Sequence, residues 1–270
     1  MKKVVVITGS TRGIGFGLAR EFLRRGHDVV VSGRASAAVE QAVAQLQPQA
    51  TGGASAWGQV CEVSDSAQVR KLWDGAVARF GRVDVWINNA GMAPGGRKPL
   101  HQHSFETMTS AVSTNITGMM ACCQVAIRGM LAQGGGQVWN MEGFGSNDMM
   151  APGMSVYGTT KRAVTYLTQA LHKELEGTPV QVGALSPGIV LTDMILGEGV
   201  EDPQEVERSR KLYNVLADRV ETVTPFLVEG ILQTKRGGAR VAWLTPTKAM
   251  LRFLTAPFIK RDPFSAPSAS

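Results

Sequence analysis

Hydrophobic residues follow two alternating patterns along the chain. Short runs rich in β-branched residues are typical of buried strands, and longer stretches with apolar residues every three to four positions are typical of amphipathic helices. The strand-like runs lie at residues 3–8, 28–33, 56–60, 83–88, 136–140, 180–185 and 239–243. The helix-like stretches lie at 13–25, 36–46, 66–79, 104–132, 157–175 and about 205–233. Strands that alternate with helices predict an α/β fold whose sheet is parallel.

Seven such strands predict a single doubly wound domain of the Rossmann type, with a seven-stranded parallel sheet and helices on both faces. In such domains ligands bind in the crevice beyond the carboxyl ends of the strands. We assign residues 1–245 to this domain, with a substrate loop at about 190–230, and residues 246–270 to a C-terminal tail. With 44% hydrophobic residues, the chain has enough apolar side chains to fill one sizeable core.

Cysteines, histidines and apolar runs exclude several classes of protein. Three cysteines predict no disulfide framework, and four scattered histidines predict no metal site. No apolar run approaches the roughly 20 residues that a membrane-spanning helix needs. The apolar run after Met1 ends at Thr8-Gly9, which is too short for a signal peptide.

The net charge of +6 is concentrated in the last forty residues. Residues 1–230 carry 21 basic and 21 acidic side chains, whereas residues 231–270 carry seven basic side chains and one acidic one. The tail also contains an apolar stripe made of Met250, Leu251, Phe253, Leu254 and Phe258. Such a basic amphipathic stretch suits an anionic membrane or pigment-protein surface. Packing within the protein or against a second subunit is the other interpretation, and the shortness of the stripe favours it.

Three glycines lie where the first predicted strand turns into the first predicted helix. The segment reads Thr8-Gly9-Ser10-Thr11-Arg12-Gly13-Ile14-Gly15. Residues without Cβ allow a tight turn and the close approach of a pyrophosphate, which the amide groups and dipole of the helix N-terminus bind. We therefore expect residues 9–15 to hold a dinucleotide.

The second predicted strand indicates which dinucleotide is bound. NAD-binding domains place an acidic residue at its end for the ribose 2′-hydroxyl, but here the strand ends in Ser32-Gly33-Arg34. Arg34 and Arg12 can face a 2′-phosphate, with Ser32 as an additional hydrogen-bond donor. Each arginine alone would pass for a solvated side chain, but the missing acid favours NADPH as the cofactor.

Tyr157 and Lys161 are four residues apart in a predicted helix and therefore share one of its faces. A phenol with its ordinary pKa near 10 is a poor acid at neutral pH, and a nearby ammonium lowers that pKa. We predict that Tyr157 is the general acid that protonates a carbonyl oxygen while a hydride reaches the carbonyl carbon. Lys161 is predicted to lower the pKa of Tyr157 and to bond the nicotinamide ribose.

Five motifs, in this order and at this spacing, resemble the short-chain dehydrogenase/reductase family. They are the glycine segment 8–15, Asn88-Asn89-Ala90-Gly91, Asn115, Tyr157-x-x-x-Lys161 and Ser186-Pro187-Gly188. The resemblance covers residues 3–245. It implies a nicotinamide-dependent oxidoreductase, and it implies a homo-oligomer because family members commonly form dimers or tetramers.

The resemblance also implies roles for individual residues. Asn115 is expected to hold a water that relays protons to Lys161. Around the cofactor, the adenine is expected beside Glu62 and Val63. The segment Asn88, Asn89, Ala90 and Gly91 is expected to stabilise the central sheet and the cofactor. Ile189 and Thr192 are expected to hold the carboxamide, and Pro187 and Gly188 are further cofactor-binding candidates.

One segment departs from the family pattern. Family members usually carry Asn-x-Ser-Ser after the fifth strand, and the second serine polarises the substrate carbonyl. This chain reads Asn140-Met141-Glu142-Gly143, with no hydroxyl in that frame. Ser146 is the nearest candidate. It either replaces the missing serine as an oxyanion donor or is an ordinary loop serine, and both interpretations stay open.

A closer similarity connects the chain to the chlorophyll b reductases of this family, of the non-yellow-colouring type, which also lack the usual serine frame. It rests on the segments at 86–91, 140–146, 156–162, 185–193 and 251–255. It implies reduction of the C7-formyl group of chlorophyll b, or of chlorophyllide b, to the 7-hydroxymethyl group. Soft methionine side chains suit a flat tetrapyrrole ligand, and several lie where the pocket is expected, namely Met92, Met149, Met150, Met154 and Met194.

Two other functions stay open. A general NADPH-dependent carbonyl or 3-oxoacyl reductase would act on smaller substrates, and the methionines argue against it. A non-catalytic NADPH-binding protein would explain the missing serine, but Tyr157, Lys161 and Asn115 oppose it. We expect a small-molecule substrate and no nucleic-acid partner. The location expected is the bacterial cytoplasm or, for a mature plant form without its transit peptide, the plastid.

Overall fold

A seven-stranded parallel sheet forms the centre of the molecule. The computed structural model describes residues 1–193 and 203–264, with residues 203–209 described by their backbone alone. The strands are β1 (Val4–Ile7), β2 (Asp28–Gly33), β3 (Ala56–Val60), β4 (Val85–Asn88), β5 (Gly136–Met141), β6 (Val180–Ser186), β7 (Val190–Leu191), β8 (Asp218–Arg219) and β9 (Arg240–Ala242). The central sheet has the order β3-β2-β1-β4-β5-β6-β9. This confirms the predicted doubly wound α/β domain.

Helices cover both faces of the sheet. They are α1 (Gly13–Arg24), α2 (Ser36–Leu46), α3 (Ser66–Phe80), α4 (Phe105–Val112), α5 (Met119–Gln133), α6 (Ser155–Glu174), α7 (Pro203–Leu216), α8 (Val220–Gln233) and α9 (Pro246–Thr255). Apolar residues of α1, α2 and α8 form the core on one face. Those of α3, α5 and α6 form the core on the other.

Strand β1, in the middle of the sheet, is apolar throughout, and both of its faces are covered. In β1, Val5 and Ile7 enter one core and Val6 enters the other, and all three are fully buried. Runs of this kind are typical of parallel sheets. Each buried side chain of this size stabilises the fold by about 1.5–3 kcal/mol. The glycine turn therefore begins from a rigid strand.

The single helix predicted over 104–132 is wrong in detail. Helix α4 is followed by a π-helical segment over Ser113–Gly118 and then by α5. Asn115 lies in that segment and is 1% exposed. π-bulges of this kind are frequent at functional sites, and the hydrophobic periodicity did not reveal this one because it continues through it.

The helix predicted over about 205–233 is divided in two. Helix α7 ends at Leu216, α8 begins at Val220, and Asp218–Arg219 between them pairs in parallel with β7. Helical periodicity on both sides concealed the break, whose cause is the burial of Asp218. The predicted substrate loop at 190–230 includes this break. Part of that loop, with Met194, lies outside the described residues.

Asp218 connects the C-terminal tail to the body of the domain. Its buried carboxylate accepts hydrogen bonds from Arg252 (Nη1, 2.7 Å), Arg261 (Nη2, 2.6 Å) and Trp243 (Nε1, 2.6 Å). Arg252 also donates to the carbonyl of Leu216 at 3.0 Å, at the end of α7. Two basic residues of the tail therefore bind within the protein, as the packing interpretation predicted for this part of the tail.

Helix α9 turns its apolar side chains outward. Met250, Leu251, Phe253 and Leu254 are each at least half exposed. The tail beyond Phe264 lies outside the described residues. Within 1–193 and 203–264, no helix combines the length and apolarity needed to cross a membrane.

Candidate active site

The glycine turn between β1 and α1 has a shape that only glycine permits. Gly9 and Gly13 have φ angles of +64° and +58°, in the left-handed region that side chains disfavour. A Cβ atom added to Gly15 would lie 2.4 Å from the carbonyl oxygen of Gly9 and 2.5 Å from Nδ2 of Asn89. The turn therefore leaves its backbone open to close approach by a ligand.

Residues after β4 hold this turn from the side. The Asn89 amide donates to the carbonyls of Thr8 (3.0 Å) and Gly9 (2.9 Å). In return, the Thr8 hydroxyl accepts hydrogen bonds from the backbone of Asn89 and Ala90, both at 3.0 Å. Asn89 and Ala90 thus stabilise the turn, which is the structural part of the role expected for them.

The N-terminus of α1 has the features of an anion site. Its N-cap residue, Arg12, makes no side-chain capping bond, and the first turn contains no acidic residue. Amide groups at a helix N-terminus point outward and carry the positive end of the dipole. Thr192 lies opposite, with its methyl carbon 3.3 Å from the position of a Cβ on Gly13. The structure therefore brings the 186–192 segment and the glycine turn together.

Two predicted cofactor residues have another role. The Ser10 hydroxyl donates to the carbonyl of Ile7 at 2.7 Å and accepts from the Ser32 amide at 2.9 Å. The Ser32 hydroxyl also donates to Ile7, at 3.3 Å, and Ser32 is 1% exposed. The prediction that Ser32 donates to a 2′-phosphate is wrong, because its hydroxyl is buried between β1 and β2. Both serines stabilise the turn from within.

The two arginines assigned to the 2′-phosphate lie on the surface. The side chains of Arg12 and Arg34 are both 78% exposed. Arg34 Nε is 3.8 Å from Glu62 Oε2, and Arg12 Nη1 is 3.3 Å from Asp193 Oδ2. Exposed pairs of this kind are weak, so both guanidinium groups can exchange these partners for a phosphate. The sequence did not predict that Glu62, expected at the adenine, would face Arg34.

Tyr157 and Lys161 lie in α6, which extends from Ser155 to Glu174. Lys161 is 3% exposed, and its Nζ donates to the Met141 carbonyl at 3.1 Å. Its Nζ is 5.7 Å from the centroid of the Tyr157 ring. The two side chains therefore share one face of the helix, as the spacing predicted.

The pKa values of this pair are both shifted by burial. Burial lowers the pKa of Lys161 to about 8, although the negative charge of Glu142 opposes this shift. Burial raises the pKa of Tyr157 to about 12. Desolvation dominates the pKa of the phenol in this geometry, in which the Lys161 ammonium bonds a carbonyl, and the lowering of that pKa by Lys161 stays a prediction. Tyr157 is thus protonated at neutral pH.

Asn115 stands beside this pair. Its Oδ1 accepts from the Met92 amide at 2.9 Å, and its Nδ2 donates to the Met92 carbonyl at 2.8 Å and to Thr160 Oγ1 at 3.0 Å. A Cβ added to Gly91 would lie 3.3 Å from Asn115 Oδ1 and 3.6 Å from Lys161 Nζ. The structure therefore brings Gly91, Asn115 and Lys161 together.

The segment that departs from the family pattern contacts the phenol. A Cβ atom at Gly143 would lie 2.6 Å from the Tyr157 hydroxyl. Ser146 is 5% exposed, and its hydroxyl donates to the Lys161 carbonyl at 3.1 Å and accepts from the Gly143 amide at 3.2 Å. Because its single proton is bonded to a backbone oxygen, the geometry favours the interpretation that Ser146 supports the loop.

The remaining cofactor candidates follow β6. Gly188 has φ +73°, and a Cβ there would lie 2.5 Å from Leu244 Cβ. Pro187 is buried, and the Ile189 carbonyl accepts from the Asp218 amide at 2.9 Å. Val63, expected at the adenine, is 5% exposed and presents its carbonyl 2.9 Å from the position of a Cβ on Gly118.

Sequence reasoning missed one charged network at this end of the sheet. Glu142 pairs with Arg240, which also donates to Ser186. The only signal available was an acidic residue placed directly after an apolar strand. Its partner lies 98 residues further along the chain.

This chain is similar to a known protein family and to several known proteins. The family model described as short chain dehydrogenase matches residues 3–199. Chlorophyll(ide) b reductase NOL, chloroplastic, from Arabidopsis thaliana is 38% identical over 255 residues, which cover 93% of this chain and 70% of that protein. Other plant relatives are longer, and the chain spans 66% of one and 52% of two more.

Enzymes named for other substrates are also similar to this chain. A 3alpha-hydroxysteroid dehydrogenase of Mediterraneibacter gnavus is 34% identical over 203 residues, covering 74% of this chain and 80% of that protein. Among solved structures, a single-residue variant of an actinorhodin polyketide ketoreductase with NADPH superposes with a TM-score of 0.75 at 26% identity. The match covers 89% of this chain and 96% of that one.

Proposed function

The chain belongs to the short-chain dehydrogenase/reductase family, and on that premise we propose that it is an NADPH-dependent chlorophyll(ide) b reductase. It reduces the C7-formyl group of chlorophyll b, or of chlorophyllide b, to 7-hydroxymethyl chlorophyll a or its chlorophyllide. The similarity to the Arabidopsis reductase over 93% of this chain carries the choice of substrate. The partly buried Tyr157 with the buried Lys161 on the same face of α6 carries the choice of chemistry.

The residues present fit a nicotinamide dinucleotide. The glycine turn has space that a Cβ would fill, and the N-terminus of α1 has no side-chain cap. Arg12 and Arg34 are exposed and suited to a 2′-phosphate. When bound, NADPH supplies the hydride that reduces the formyl carbon. The amides of residues 13–15 would hold its pyrophosphate, and residues 187–192 would contact its nicotinamide end.

Tyr157 performs the acid step in this proposal. With a pKa of about 12 its hydroxyl is protonated at neutral pH. It gives that proton to the formyl oxygen as the C–H bond forms, because the developing alkoxide is a stronger base than the phenolate. The phenolate that results is stabilised by the ammonium of Lys161 on the same helix face. A proton from solvent then restores the phenol. Asn115 stabilises the backbone beside Lys161 through its hydrogen bonds to Met92 and Thr160.

The substrate side has no hydroxyl where the family usually has one. Gly143 leaves the space against the Tyr157 hydroxyl without a side chain, so the phenol is the donor to the carbonyl oxygen. Met149 and Met150 are exposed before α6 and offer soft apolar contact to a large flat ligand. A smaller substrate would leave these side chains in water, and this favours the tetrapyrrole.

Incubation with pigment tests the proposal directly. Pure protein with NADPH and chlorophyll b is expected to produce the 7-hydroxymethyl pigment, separated by chromatography and identified by its absorbance. Chlorophyll a, which has a methyl group at C7, is the matched control and is expected to stay unchanged. Unchanged chlorophyll b together with turnover of 3-oxoacyl thioesters or simple ketones would establish the general carbonyl reductase instead.

The partners follow from the same premise. We propose a homo-oligomer, as is common in the family, and a plastid location if the chain is of plant origin, or the bacterial cytoplasm otherwise. The exposed apolar side chains of α9 are available to a second subunit or to a pigment-bearing membrane. Sedimentation of the pure protein measures association with a second subunit, and co-pelleting with vesicles of anionic plastid lipids measures binding to the membrane.

A further inference from the structure

Glu142 is a buried carboxylate directly after β5. Its side chain is 4% exposed, and Arg240 in β9 donates to its Oε2 from both Nε and Nη2 at 2.8 Å. Burying a carboxylate is costly unless a partner neutralises it. A carboxylate in such a position needs an explanation beyond packing.

Arg240 extends this pair to a third strand. Its Nη2 donates to the Ser186 hydroxyl at 2.9 Å, and Ser186 is the last residue of β6 and precedes the Pro187-Gly188 turn. The guanidinium therefore joins β9 to the carboxyl ends of β5 and β6. One ion pair links the segment that contacts Tyr157 to the segment expected at the nicotinamide.

Glu142 is also next to Lys161. The Lys161 ammonium donates to the carbonyl of Met141, and a Cβ on Gly143 would lie 3.1 Å from Lys161 Cε. Side chains alternate along a strand, so Glu142 shares a face with Asn140, whose amide bonds Thr168 of α6. The carboxylate thus lies on the face of the sheet that α6 covers.

We propose that Glu142 is a positioning residue of the reductase site: its carboxylate, held by Arg240, keeps Lys161 in its charged form beside Tyr157. Tyr157 on its own helix and the neutral Asn115 on the π-helical segment also lie beside Lys161, and the cation paired with Glu142 is Arg240. Glu142 is therefore the nearby negative charge that opposes the desolvation of the ammonium. This inference rests on the proposed function, in which that ammonium stabilises the phenolate.

Titration of Lys161 tests the proposal without a substrate. In protein labelled with 13C- and 15N-lysine, the Nζ resonance of Lys161 is assigned as the one lost in Lys161→Arg. The pKa of Lys161 in wild-type protein is expected to appear as a titration midpoint near pH 8. Glu142→Gln is expected to lower that midpoint by about one pH unit, the effect of a single nearby charge. Glu142→Asp keeps the charge and is expected to retain most of the wild-type value.

A matched control separates this role from a structural one. Asp218→Asn removes another buried, arginine-paired carboxylate, and it is expected to lower the melting temperature without moving the titration of Lys161. An unchanged midpoint in Glu142→Gln, or an equal shift in Asp218→Asn, would overturn the proposal. If Glu142→Gln does not fold, the titration midpoint of Lys161 is measured in Arg240→Gln instead. Removing the neutralising cation is then expected to raise the midpoint, and an unmoved midpoint would overturn the role of Glu142.

Activity provides the second measurement. Since Lys161 acts as a cation, kcat/KM falls as the pH rises through its pKa, and this alkaline limb is expected to move to lower pH by the same amount in Glu142→Gln. If wild-type protein does not reduce the pigment, only the proposed function is disproved. The titration of Lys161 needs no substrate and still tests the role of Glu142.

Discussion

The two halves of the site are built in different ways. The cofactor half, around the turn from β1 to α1, depends on backbone shape: glycines leave space, and Thr8 and Asn89 hold the turn by bonds to main-chain atoms. The proposed catalytic half, at the ends of β5 and β6, depends on the buried Lys161 and Glu142 and on the partly buried Tyr157. The glycines that shape the turn lie within residues 9–15, whereas the ion pair of the catalytic half joins Glu142 to Arg240, 98 residues further along the chain.

This difference predicts that changes in the two halves affect different measurements. A defect in the cofactor half should appear as weaker NADPH binding. A defect in the catalytic half should appear as slower turnover by an enzyme that still binds NADPH. Four substitutions test that separation.

Tyr157→Phe is expected to have the largest effect on turnover. It removes the proton donor while leaving the ring and its packing, so kcat should fall about 1,000-fold, within the range of general acid catalysis. NADPH affinity, measured by fluorescence, should change little. Retention of full biological function by this variant would instead identify a binding protein without catalysis.

Gly15→Ala tests the cofactor half. The added methyl group would lie 2.4 Å from a backbone oxygen, so the turn must shift at a cost of about 1–3 kcal/mol, or up to roughly 100-fold in NADPH affinity. Gly95→Ala is the matched control, because a Cβ there meets no atom within 4 Å. Equal NADPH affinity in both variants would contradict the steric interpretation.

Gly143→Ser restores the hydroxyl that the family usually carries, and it is expected to harm the enzyme. Its Cβ would lie 2.6 Å from the Tyr157 hydroxyl, and displacement of the phenol should lower kcat about 30-fold. Gly143→Ala, which adds the Cβ without the hydroxyl, is expected to lose a similar amount. A gain of activity in the serine variant alone would show that the site retains room for the usual donor.

Arg34→Asp should have the smallest effect, on cofactor preference. It replaces an exposed cation with the acid that binds a ribose 2′-hydroxyl, so the ratio of kcat/KM for NADPH over NADH should fall about tenfold, the equivalent of one modest hydrogen bond. Arg236→Asp makes the same charge change before β9, at the far edge of the sheet, and should leave the ratio unchanged.

Sequence patterns predicted the seven-stranded sheet because most of its strands are short, largely apolar runs. The sequence patterns also predicted that Tyr157 and Lys161 share one helix face, since that depends only on their spacing of four residues. They failed where a distant partner decides the outcome. Ser32 turned inward to Ile7, and the helix through 217–219 was interrupted by the burial of Asp218. The pKa of Tyr157 likewise follows burial, which no spacing encodes.

The carboxylate of Asp218 makes the last residues of the chain necessary to the domain. A protein ending at residue 245 would lose Arg252 and Arg261, leaving a buried anion with Trp243 as its remaining side-chain donor among the described residues. Removing the cations from a buried pair costs about 3–5 kcal/mol, a large fraction of the total stability of a typical domain. Truncation at that point is therefore expected to unfold or loosen the region around Asp218, where α7 ends and α8 begins.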